Sequence, residues 1–471
     1  MTSELKELQD DLRNLFDFGV KHQQLISENE ILLSGRDEKL LDVMDYLSRK
    51  CNARLTNQIV NDYGDRLELI EVLYLNHLKL RMYIKAGIDT RHKSTITAKH
   101  IFPSARWLEK YQEFFNGITF VGQEHSEPGE TSSDEFVDKL PWISLEVDEF
   151  VDKISIMNGP GILDHKLDFQ SYTWVKAQNN IVYKAKCQMG NFHRGLVEFA
   201  EQNLIKDAPF ILSRACWDEK FHILLAYSLA LERINNRDND ITFLARGWRA
   251  LSCEVERLIN HHKFLVSWLT LAGETDLAQK NALILNQLKI IENYFIDDGS
   301  IPFIKPGGIT FDPLTRGSIK LGDLEDKFKG YEADMMEYLF NHFINGNITG
   351  QFSGIGCVKQ ADALKTGLSG PSLRASGMPF DSRADFPYSV FKTGLIRWDV
   401  CSCLEGDVQA RLHVHLHEML QSLRIIYQVI YLLEDSPSDD LSVEFANMQR
   451  EKEGFTVVES SRGELQLYMK T

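Results

Sequence analysis

One polar stretch divides the chain into two parts that we expect to fold separately. Residues 123–138 read QEHSEPGETSSDEFVD, which is acidic, rich in serine, glycine and proline, and nearly free of apolar residues. Such a composition is typical of a flexible linker, because the segment has too little apolar surface to bury. We therefore predict a small module at residues 1–122, an acidic flexible linker at 123–145 and a larger domain at 146–471.

Periodicity within each part indicates its secondary structure. The first part shows a helical period, then short apolar runs, of which Leu67–Leu75 could be a strand or a buried helix, and then a strand–helix–strand unit at residues 96–122. In the second part, two alternating strands at 169–175 and 181–186 precede long apolar helices. We therefore predict an α+β protein, in which a small α/β module is linked to a mostly helical domain with small β-sheets.

Composition and charge exclude several classes of protein. With 471 residues, of which 43% are hydrophobic, the chain can bury a large core. Its formal charge of -16 disfavours a nucleic-acid partner and direct contact with anionic lipid, because both need a basic face. No apolar run of about eighteen residues or more is present, and the first residues are acidic and amphipathic. We expect no membrane span and no secretion signal, so that any membrane attachment goes through another subunit.

The cysteines argue against a metal site built by this chain. The seven stand at positions 51, 187, 216, 253, 357, 401 and 403, without a C-x-x-C pair. An odd, scattered set is typical of a reducing compartment, and not of a disulfide framework or a self-contained iron–sulfur or zinc site. We therefore expect that the chain itself binds no metal and no cofactor.

Neighbouring histidines carry a weaker metal signal. His261 and His262 are adjacent, which on a helix points them apart, and we interpret both as structural. His413 and His417 share a helical face and could bind a metal, but no carboxylate or cysteine stands at a fitting offset. Glu256, on the same predicted helix as the first pair, falls off its apolar face and is expected to be solvated or to lie between helices.

Residues 366–391 are predicted to be a loop that holds charges in fixed places. Glycines and prolines interrupt the segment, so it is neither an amphipathic helix nor an alternating strand. Arg374, Asp381, Arg383 and Asp385 stand among them and can neutralise one another below the surface. The residues alone leave two interpretations open, a structural ion-pair knot between helical regions or a reaction site.

The same loop carries a resemblance to a known family. From residue 367 it reads GLSGPSLRASGMPFDSRADFPYSVF, which resembles the large-subunit signature shared by membrane-bound NiFe hydrogenases and the quinone-site subunit of respiratory complex I. Residues 96–122, which end in FNGITFVG, resemble the smaller hydrophilic subunit of complex I. The resemblance implies a fused C/D-like subunit of NADH-quinone oxidoreductase (complex I), as in formate hydrogenlyase-type hydrogenases, with a hydrogenase-large-subunit-like domain at 146–471.

The nickel–iron ligands of the hydrogenases are mostly absent. Hydrogenases place Arg-x-Cys-x-x-Cys before a helix, whereas here Arg214 and Cys216 are followed by Glu219 at the second cysteine position. Their second cysteine motif is also absent, so three of the four ligands are missing and we expect no hydrogen activation. Complex I instead has a quinone-binding tyrosine where this chain has Trp217. An indole can stack on a quinone and donate one hydrogen bond, but it cannot titrate like a phenol.

The other candidate site residues also follow from the resemblance, and no catalytic residue is assigned. His165 is the imidazole nearest to the position of the family's quinone-binding histidine, and with Trp217 it is a quinone-site candidate; the other interpretation is an exposed turn histidine. The resemblance implies that a Gly-x-x-His-Arg-Gly motif and the charged loop face a partner subunit and its cluster. For the motif, the other interpretation is that it forms hydrogen bonds with the ends of strands. The residues implied to face the partner are His193, Arg194, Gly195, Arg374, Asp381 and Arg383.

The resemblance implies a role in electron transport. We expect a peripheral-arm subunit of a membrane-associated NADH:quinone oxidoreductase-like complex, docked to an iron–sulfur small subunit and placed above membrane subunits. The cluster belongs to the partner, and a quinone is the ligand implied for a reducing or coupling site. The expected location is cytoplasmic, at the cytoplasmic face of the inner membrane through partner subunits. The alternative is a non-redox scaffold or coupling subunit that kept the fold and lost the chemistry.

Overall fold

The computed structural model describes residues 3–16, 23–27, 29–35, 37–88, 91–122, 172–178, 181–188, 194–297, 302–344, 350–434, 436, 440–444 and 452–471. The chain forms two units, Met1–His193 with Leu364–Gly367, and Arg194–Ala363 with Leu368–Thr471. The linker predicted at 123–145 lies outside the described residues, so the predicted domain boundaries stay a prediction. Within the described part of the chain, no helix has the length and apolarity needed to cross a membrane.

The first unit is built on a five-stranded sheet with the order β1-β2-β5-β4-β3. The strands are β1 (Gln23–Ser27), β2 (Glu30–Gly35), β3 (Ala53–Asp62), β4 (Leu67–Leu75) and β5 (Leu80–Ile88). β2 and β5 run parallel, and the other neighbours are antiparallel. Leu67–Leu75 is therefore a strand. It lies between β5 and β3, and all but one of its residues are buried, which explains why its sequence shows no alternation.

Helices and two smaller strand pairs complete this unit. The helices are α1 (Ser3–Phe16), α2 (Asp37–Cys51) and α3 (Ala105–Asn116). α3 connects the short parallel strands β6 (Ser94–Ile96) and β7 (Thr119–Val121), which confirms the predicted strand–helix–strand unit. Gly117 ends α3 with φ of 66°, a left-handed conformation that glycine adopts without steric cost. β8 (Tyr172–Gln178) and β9 (Ile181–Gln188) form an antiparallel hairpin.

From residue 194 onward the chain is mostly helical. The helices are α4 (Leu196–Glu201), α5 (Ala208–Leu212), α6 (Lys220–Ile234), α7 (Phe243–Leu271), α8 (Thr275–Glu292), α9 (Pro313–Gly317), α10 (Leu321–Leu339), α11 (Gln360–Lys365), α12 (Gly370–Ala375), α13 (Ser382–Asp385) and α14 (Val408–Glu434). The antiparallel hairpins are β10 (Ile304–Lys305) with β11 (Gly308–Ile309), and β12 (Glu453–Ser460) with β13 (Gly463–Lys470). Small separate sheets beside a helical body confirm the predicted α+β class.

The core of the second unit is formed by α6, α7, α14 and their neighbours. α6 reads KFHILLAYSLALERI and is apolar on almost every side, so it is buried all round. Leu225, Leu258 and Ile426, one from each helix, belong to the same buried cluster. Charged side chains on helices buried in this way cannot reach water, and each needs a partner inside the protein.

Candidate functional site

α7 carries a stripe of charged and polar side chains into the core. Glu254, Arg257 and His261 are three and four residues apart, so they share one face, and each is only 1% exposed. Arg257 Nε donates to Glu254 over 3.1 Å, and its terminal nitrogens donate to the backbone carbonyls of Ser460 and Glu459 on β12. The stripe therefore joins α7 to the β12–β13 hairpin.

Arg383 adds the charged segment 366–391 to this stripe. The segment was predicted to be a loop, and the structure instead forms the short helices α12 and α13 within it. Its guanidinium makes a bidentate pair with Asp381, with N–O distances of 3.0 and 2.8 Å, and donates to Glu254 over 2.9 Å. Asp381 also accepts the backbone N–H of Arg383 and so caps α13. The guanidinium carbon lies 4.2 Å from the ring centre of Trp398. Two carboxylates and one aromatic ring thus hold this arginine in place.

Arg374, at the end of α12, is fully buried and bridges two more carboxylates. Its Nε donates to Glu418 on α14, and its Nη1 donates to Glu459 on β12, both over 2.7 Å. Nη1 also donates to the carbonyl of Phe380 and lies 3.7 Å from Asp381. The loop therefore fastens α7, α14 and β12 together, which is the ion-pair knot that the residues alone allowed.

The carboxylates of this cluster outnumber its guanidinium groups, four to three. Burial raises the pKa of Glu459 to about 7, and the charge of Asp381 adds to this effect against that of Arg374. Burial also acts to raise the pKa of Glu418, but the charge of Arg374 outweighs it and the pKa is lowered. Glu459 is therefore the member of the cluster that takes up a proton most readily near neutral pH.

A second group of buried side chains lies where α6 begins. His222 Nδ1 is 2.6 Å from Glu256 Oε2 and 3.2 Å from Glu219 Oε2. Burial acts to lower the pKa of His222, but its close contacts with both carboxylates raise it to about 9. The other ring nitrogen lies 3.4 Å from Arg257 Nη2, so the two groups form one continuous polar network. Glu256 thus lies between helices, the second of its two predicted positions.

The neighbouring histidines of α7 point to different partners, as predicted. His261 Nδ1 lies 2.9 Å from His415 Nδ1 on α14, and its Nε2 lies 3.2 Å from Glu418. His262 instead faces Asn281 on α8, over 2.6 Å. His261 therefore extends the network toward the partly buried ring of His415, whereas His262 is part of a separate helix–helix contact.

The network approaches the surface at Cys216. Glu219 Oε1 accepts a hydrogen bond from Ser461 Oγ over 2.6 Å. The next residue, Arg462, places one nitrogen 3.8 Å from Cys216 Sγ and another 3.4 Å from Asp218. Cys216 is half-buried, and burial raises the pKa of its thiol in spite of the charge of Arg462. A neutral thiol is a weak metal ligand, so this end of the network offers polar donors rather than a thiolate.

Three of the predicted site residues come together, and all three are buried within this chain. They are Arg374, Asp381 and Arg383. His165 and His193 lie outside the described residues, as does the side chain of Trp217, whose backbone forms a 3₁₀ turn before α6. The quinone-site and partner-facing roles of these residues stay predictions.

Arg194 and Gly195 lie just before α4. Arg194 is exposed, and its guanidinium donates to the backbone carbonyls of Arg214 and Ala215. Gly195 has φ of 62°, which lets the chain turn into the helix. The basic side chain therefore lies against the segment that leads to Cys216, and its role toward a partner stays a prediction.

Sequence reasoning missed three carboxylates of this network, together with a histidine and an arginine. The missed residues are Glu254, Glu418 and Glu459, with His222 and Arg257. Only α7 gave a local signal, because the run CEVER interrupts an otherwise apolar helix. The partners on α14 and β12 come from distant parts of the chain, and no spacing in the sequence marks them.

Comparison with known proteins finds matches for both parts of the chain. Residues 33–141 match the family described as Respiratory-chain NADH dehydrogenase, 30 Kd subunit. Residues 300–471 match the family described as Respiratory-chain NADH dehydrogenase, 49 Kd subunit. The second match includes the loop that contains Arg374, Asp381 and Arg383.

Curated relatives agree with the second of these matches. The chain is 26% identical over 265 residues to the D subunit of NADH-quinone oxidoreductase from Cutibacterium acnes, covering 54% of this chain and 58% of the relative. The corresponding D subunit from Frankia alni is 28% identical over 271 residues, 54% of each chain. The H subunit of the NAD(P)H-quinone oxidoreductase from the organellar chromatophore of Paulinella chromatophora is 28% identical over 264 residues, 54% of this chain and 62% of the relative. The chain thus spans less than two thirds of each of these relatives.

Proposed function

Because this chain is a fused complex I C/D-like subunit, we propose that it works in the peripheral arm of a membrane-associated oxidoreductase related to complex I. There it docks an iron–sulfur subunit and forms part of a site at which a quinone is reduced. The observation that carries the proposal is the buried network that runs from Arg374 to Glu219 and reaches the surface beside Cys216. Such a network holds the surface segment rigidly, as a site for electron transfer requires.

The surface end of the network has groups that suit a quinone head group. A quinone needs hydrogen-bond donors for its carbonyl oxygens and a flat apolar contact for its ring. Arg462, with a side chain 33% exposed, places donors beside Cys216, and residue 217 in the adjacent turn is a tryptophan. Reduction of the quinone to quinol takes two electrons, which an iron–sulfur cluster of the partner would supply one at a time, and two protons, which would come from water. His165 is the second candidate donor to the head group.

The partner contact rests on an exposed arginine and a buried frame. Arg194 is exposed and lies against the segment before Cys216, where its charge would stabilise a reduced, negatively charged cluster of the partner together with His193. Arg374, Asp381 and Arg383 are buried within this chain, so in this proposal they act on the partner by holding that segment in place.

A second candidate function is a non-redox scaffold or coupling subunit. One observation favours it: the guanidinium of Arg383 is occupied by Asp381 and Glu254, so this charge of the family's loop is used in internal ion pairs. A tryptophan at position 217 also lacks the titrating hydroxyl group that protonation of a quinone would use.

Purification of the native complex separates the two candidates. Iron–sulfur EPR signals together with a quinone-dependent rate support the redox function, whereas a complex without clusters supports the scaffold. In the redox case, Trp217→Ala should lower the quinone reductase rate about tenfold or more while the EPR signals stay unchanged. Trp107→Ala, at a position 44% exposed on α3, is the matched control. Equal rates in the two variants would contradict the proposed quinone site.

A further inference from the structure

Glu219, His222 and Glu256 converge on one point inside the second unit. The atoms concerned are one ring nitrogen of the histidine and one carboxylate oxygen of each glutamate, and they all lie within 4.8 Å of one another. Each of the three side chains is at most 5% exposed. Nitrogen and oxygen atoms that converge in this way, shielded from water, are the donor set of a transition-metal site.

Each glutamate has one oxygen fixed by neighbours and the other close to the imidazole; of the latter two oxygens, Glu256 Oε2 also accepts the backbone N–H of His222 over 3.1 Å. Glu219 Oε1 accepts hydrogen bonds from Ser461 Oγ over 2.6 Å and from Asn260 Nδ2 over 3.2 Å. Glu256 Oε1 accepts the backbone N–H of Phe221 over 2.9 Å, at the start of α6. Hydrogen bonds that orient ligand oxygens from behind are the usual support of a metal site.

One oxygen of this group has no hydrogen-bond donor among the described residues. Glu219 Oε2 is buried and accepts no hydrogen bond, although it lies 3.2 Å from His222 Nδ1. The reason is that the single hydrogen on Nδ1 is directed to Glu256 Oε2, only 2.6 Å away. One imidazole N–H thus serves two buried carboxylates, which leaves an unsatisfied acceptor and excess negative charge. A cation between the three atoms would remove both deficits.

We propose that Glu219, His222 and Glu256 bind a single divalent transition-metal ion, for which Zn²⁺ is the best fit. Zinc takes imidazole nitrogen and carboxylate oxygen at about 2.0–2.1 Å, and three protein ligands leave the fourth position for water. Tetrahedral ligand atoms at this distance lie about 3.3 Å apart. The distance of 3.2 Å between His222 and Glu219 already matches this value. The Glu256 oxygen, at 2.6 Å, has to move back by about 0.7 Å.

The competitor for this position is a proton. Arg257 Nη2 faces the other ring nitrogen of His222 at 3.4 Å. That nitrogen accepts a hydrogen bond from Arg257 only in the neutral ring with its hydrogen on Nδ1. It carries a hydrogen both in the doubly protonated ring and in a ring bound to metal through Nδ1, so the contact does not distinguish these two states. The number of ligands favours the metal, because an ion would bind all three atoms. A single proton on Nδ1 makes a hydrogen bond with only one carboxylate.

An ion at this site would depart from the expectation that the chain itself binds no metal. The sequence did not reveal the site because its three ligand residues are not neighbours along the chain. Glu219 and His222 are three residues apart, but Glu256 lies on α7, 34 positions after His222. An ion bound here would fasten the start of α6 to the middle of α7. This inference does not depend on quinone reduction, since a scaffold would hold the same ion.

Titration of the full-length chain with Co²⁺ tests the proposal. The chain is first freed of metal with a chelator, and Co²⁺ then serves as a spectroscopic substitute for Zn²⁺. We expect one Co²⁺ per chain, with the visible absorption of a four-coordinate site, and a rise in Tm that Zn²⁺ reproduces. Glu219→Gln should weaken Co²⁺ binding about tenfold or more, and His222→Gln should abolish it.

A double variant, His413→Gln with His417→Gln, is the matched control. These histidines form the other candidate metal pair, on one face of α14, and their loss should leave Co²⁺ binding unchanged. Circular dichroism shows which variants fold, and Glu219→Gln decides the matter if His222→Gln does not. Absence of stoichiometric uptake by the unaltered chain means that the group holds only a proton and overturns the proposal. Four-coordinate Co²⁺ binding of unchanged affinity in folded Glu219→Gln also overturns it.

Discussion

Arg383 illustrates how a buried charge can hold a fold together. Water is excluded from its guanidinium, and Asp381 and Glu254 replace that water with charge-assisted hydrogen bonds. A buried pair of this kind adds little compared with a well-packed apolar core, but the loss of one member leaves the others unpaired where solvation is poor. The surface pair between Arg424 and Asp399 lacks this property, because water can solvate each member alone.

Substitution of Arg383 should therefore be costly. Arg383→Gln should lower the free energy of unfolding by about 3–5 kcal/mol, because buried Asp381 loses its bidentate partner and buried Glu254 keeps only Arg257 as an ion-pair partner. Arg424→Gln, which breaks the exposed pair with Asp399, should lower it by less than about 1 kcal/mol. Chemical denaturation of both variants measures the difference. Equal losses would show that the internal ion pairs are no stronger than the exposed one.

His262 makes the stability of the fold depend on pH. Burial lowers the pKa of this histidine from 6.5 to about 4, although a hydrogen bond to Asn281 opposes the shift. The unfolded chain thus binds a proton between these values while the folded chain keeps the ring neutral. The contribution of His262 to stability is complete above pH 6.5 and is lost as the pH falls toward 4.

Replacement of this histidine should reduce that acid sensitivity. The free energy of unfolding of the unaltered protein, minus that of His262→Gln, should decrease by up to about 3 kcal/mol as the pH falls through this range. Denaturation curves from about pH 7 down to about pH 4.5 measure this difference. The same comparison with Leu283→Gln, an exposed position on α8 that does not titrate, should stay constant with pH. A constant difference for His262→Gln as well would contradict the assignment.

Among the elements, α12 and the β12–β13 turn approach so closely that only glycine fits between them. Gly370 has φ of 59°, and a Cβ atom there would lie 2.3 Å from the carbonyl oxygen of Arg462. This close approach places α12, and with it Arg374, against the hairpin that supplies Glu459. The packing of one short helix therefore positions an ion pair of the network.

A methyl group at this position should disturb both the packing and the ion pair. Gly370→Ala should lower the free energy of unfolding by about 2–4 kcal/mol, which combines the left-handed backbone with the clash. Gly394 has φ of 70° and no atom within 4 Å of its Cβ position, so Gly394→Ala should cost only about 1–2 kcal/mol. Thermal or chemical denaturation of the two variants separates the cost of the left-handed backbone from the cost of the clash. Similar losses of stability in the two variants would show that the structure shifts to relieve the clash.

The helices were easier to predict than the faces they bury. The spacing of His413 and His417 marks one side of α14, yet the ring that enters the network is His415, which stacks on Phe264 at a centroid distance of 3.8 Å. Periodicity shows which residues share a face, and packing against α7 decides which face turns inward. The charged segment 366–391 could be recognised because its charges, glycines and prolines are neighbours in the sequence. Its partner Glu459, 85 positions after Arg374, could not be recognised in this way.

For the whole chain, two parts that match two different subunits each have a hydrophobic core of their own. The α+β class could be predicted, because helical periods, alternating strands and a polar stretch are all local patterns. The strand order β1-β2-β5-β4-β3 could not, since it depends on pairing between β2 and β5, which are separated by two other strands.

The predicted division of the chain can be tested by limited proteolysis. Residues 123–138 contain four glutamates in a polar context, and we predict that a glutamate-specific protease cuts the native protein there first. Mass spectrometry should then show two resistant fragments, one on each side of residues 123–145. A first cut inside α7 or β12 would contradict the predicted boundary.

The contact between α7 and the β12–β13 hairpin also has a consequence for synthesis of the chain. Arg257 binds carbonyl groups that follow it by 202 and 203 positions. A ribosome therefore synthesises α7 long before the β12–β13 hairpin, whose carbonyl groups complete the hydrogen bonds of Arg257. Closure of a loop of this length is slow. Before the β12–β13 hairpin emerges, Arg257 has Glu254 on its own helix as a partner but lacks these two carbonyl acceptors. We therefore expect the helical unit to complete its packing only after the hairpin is made.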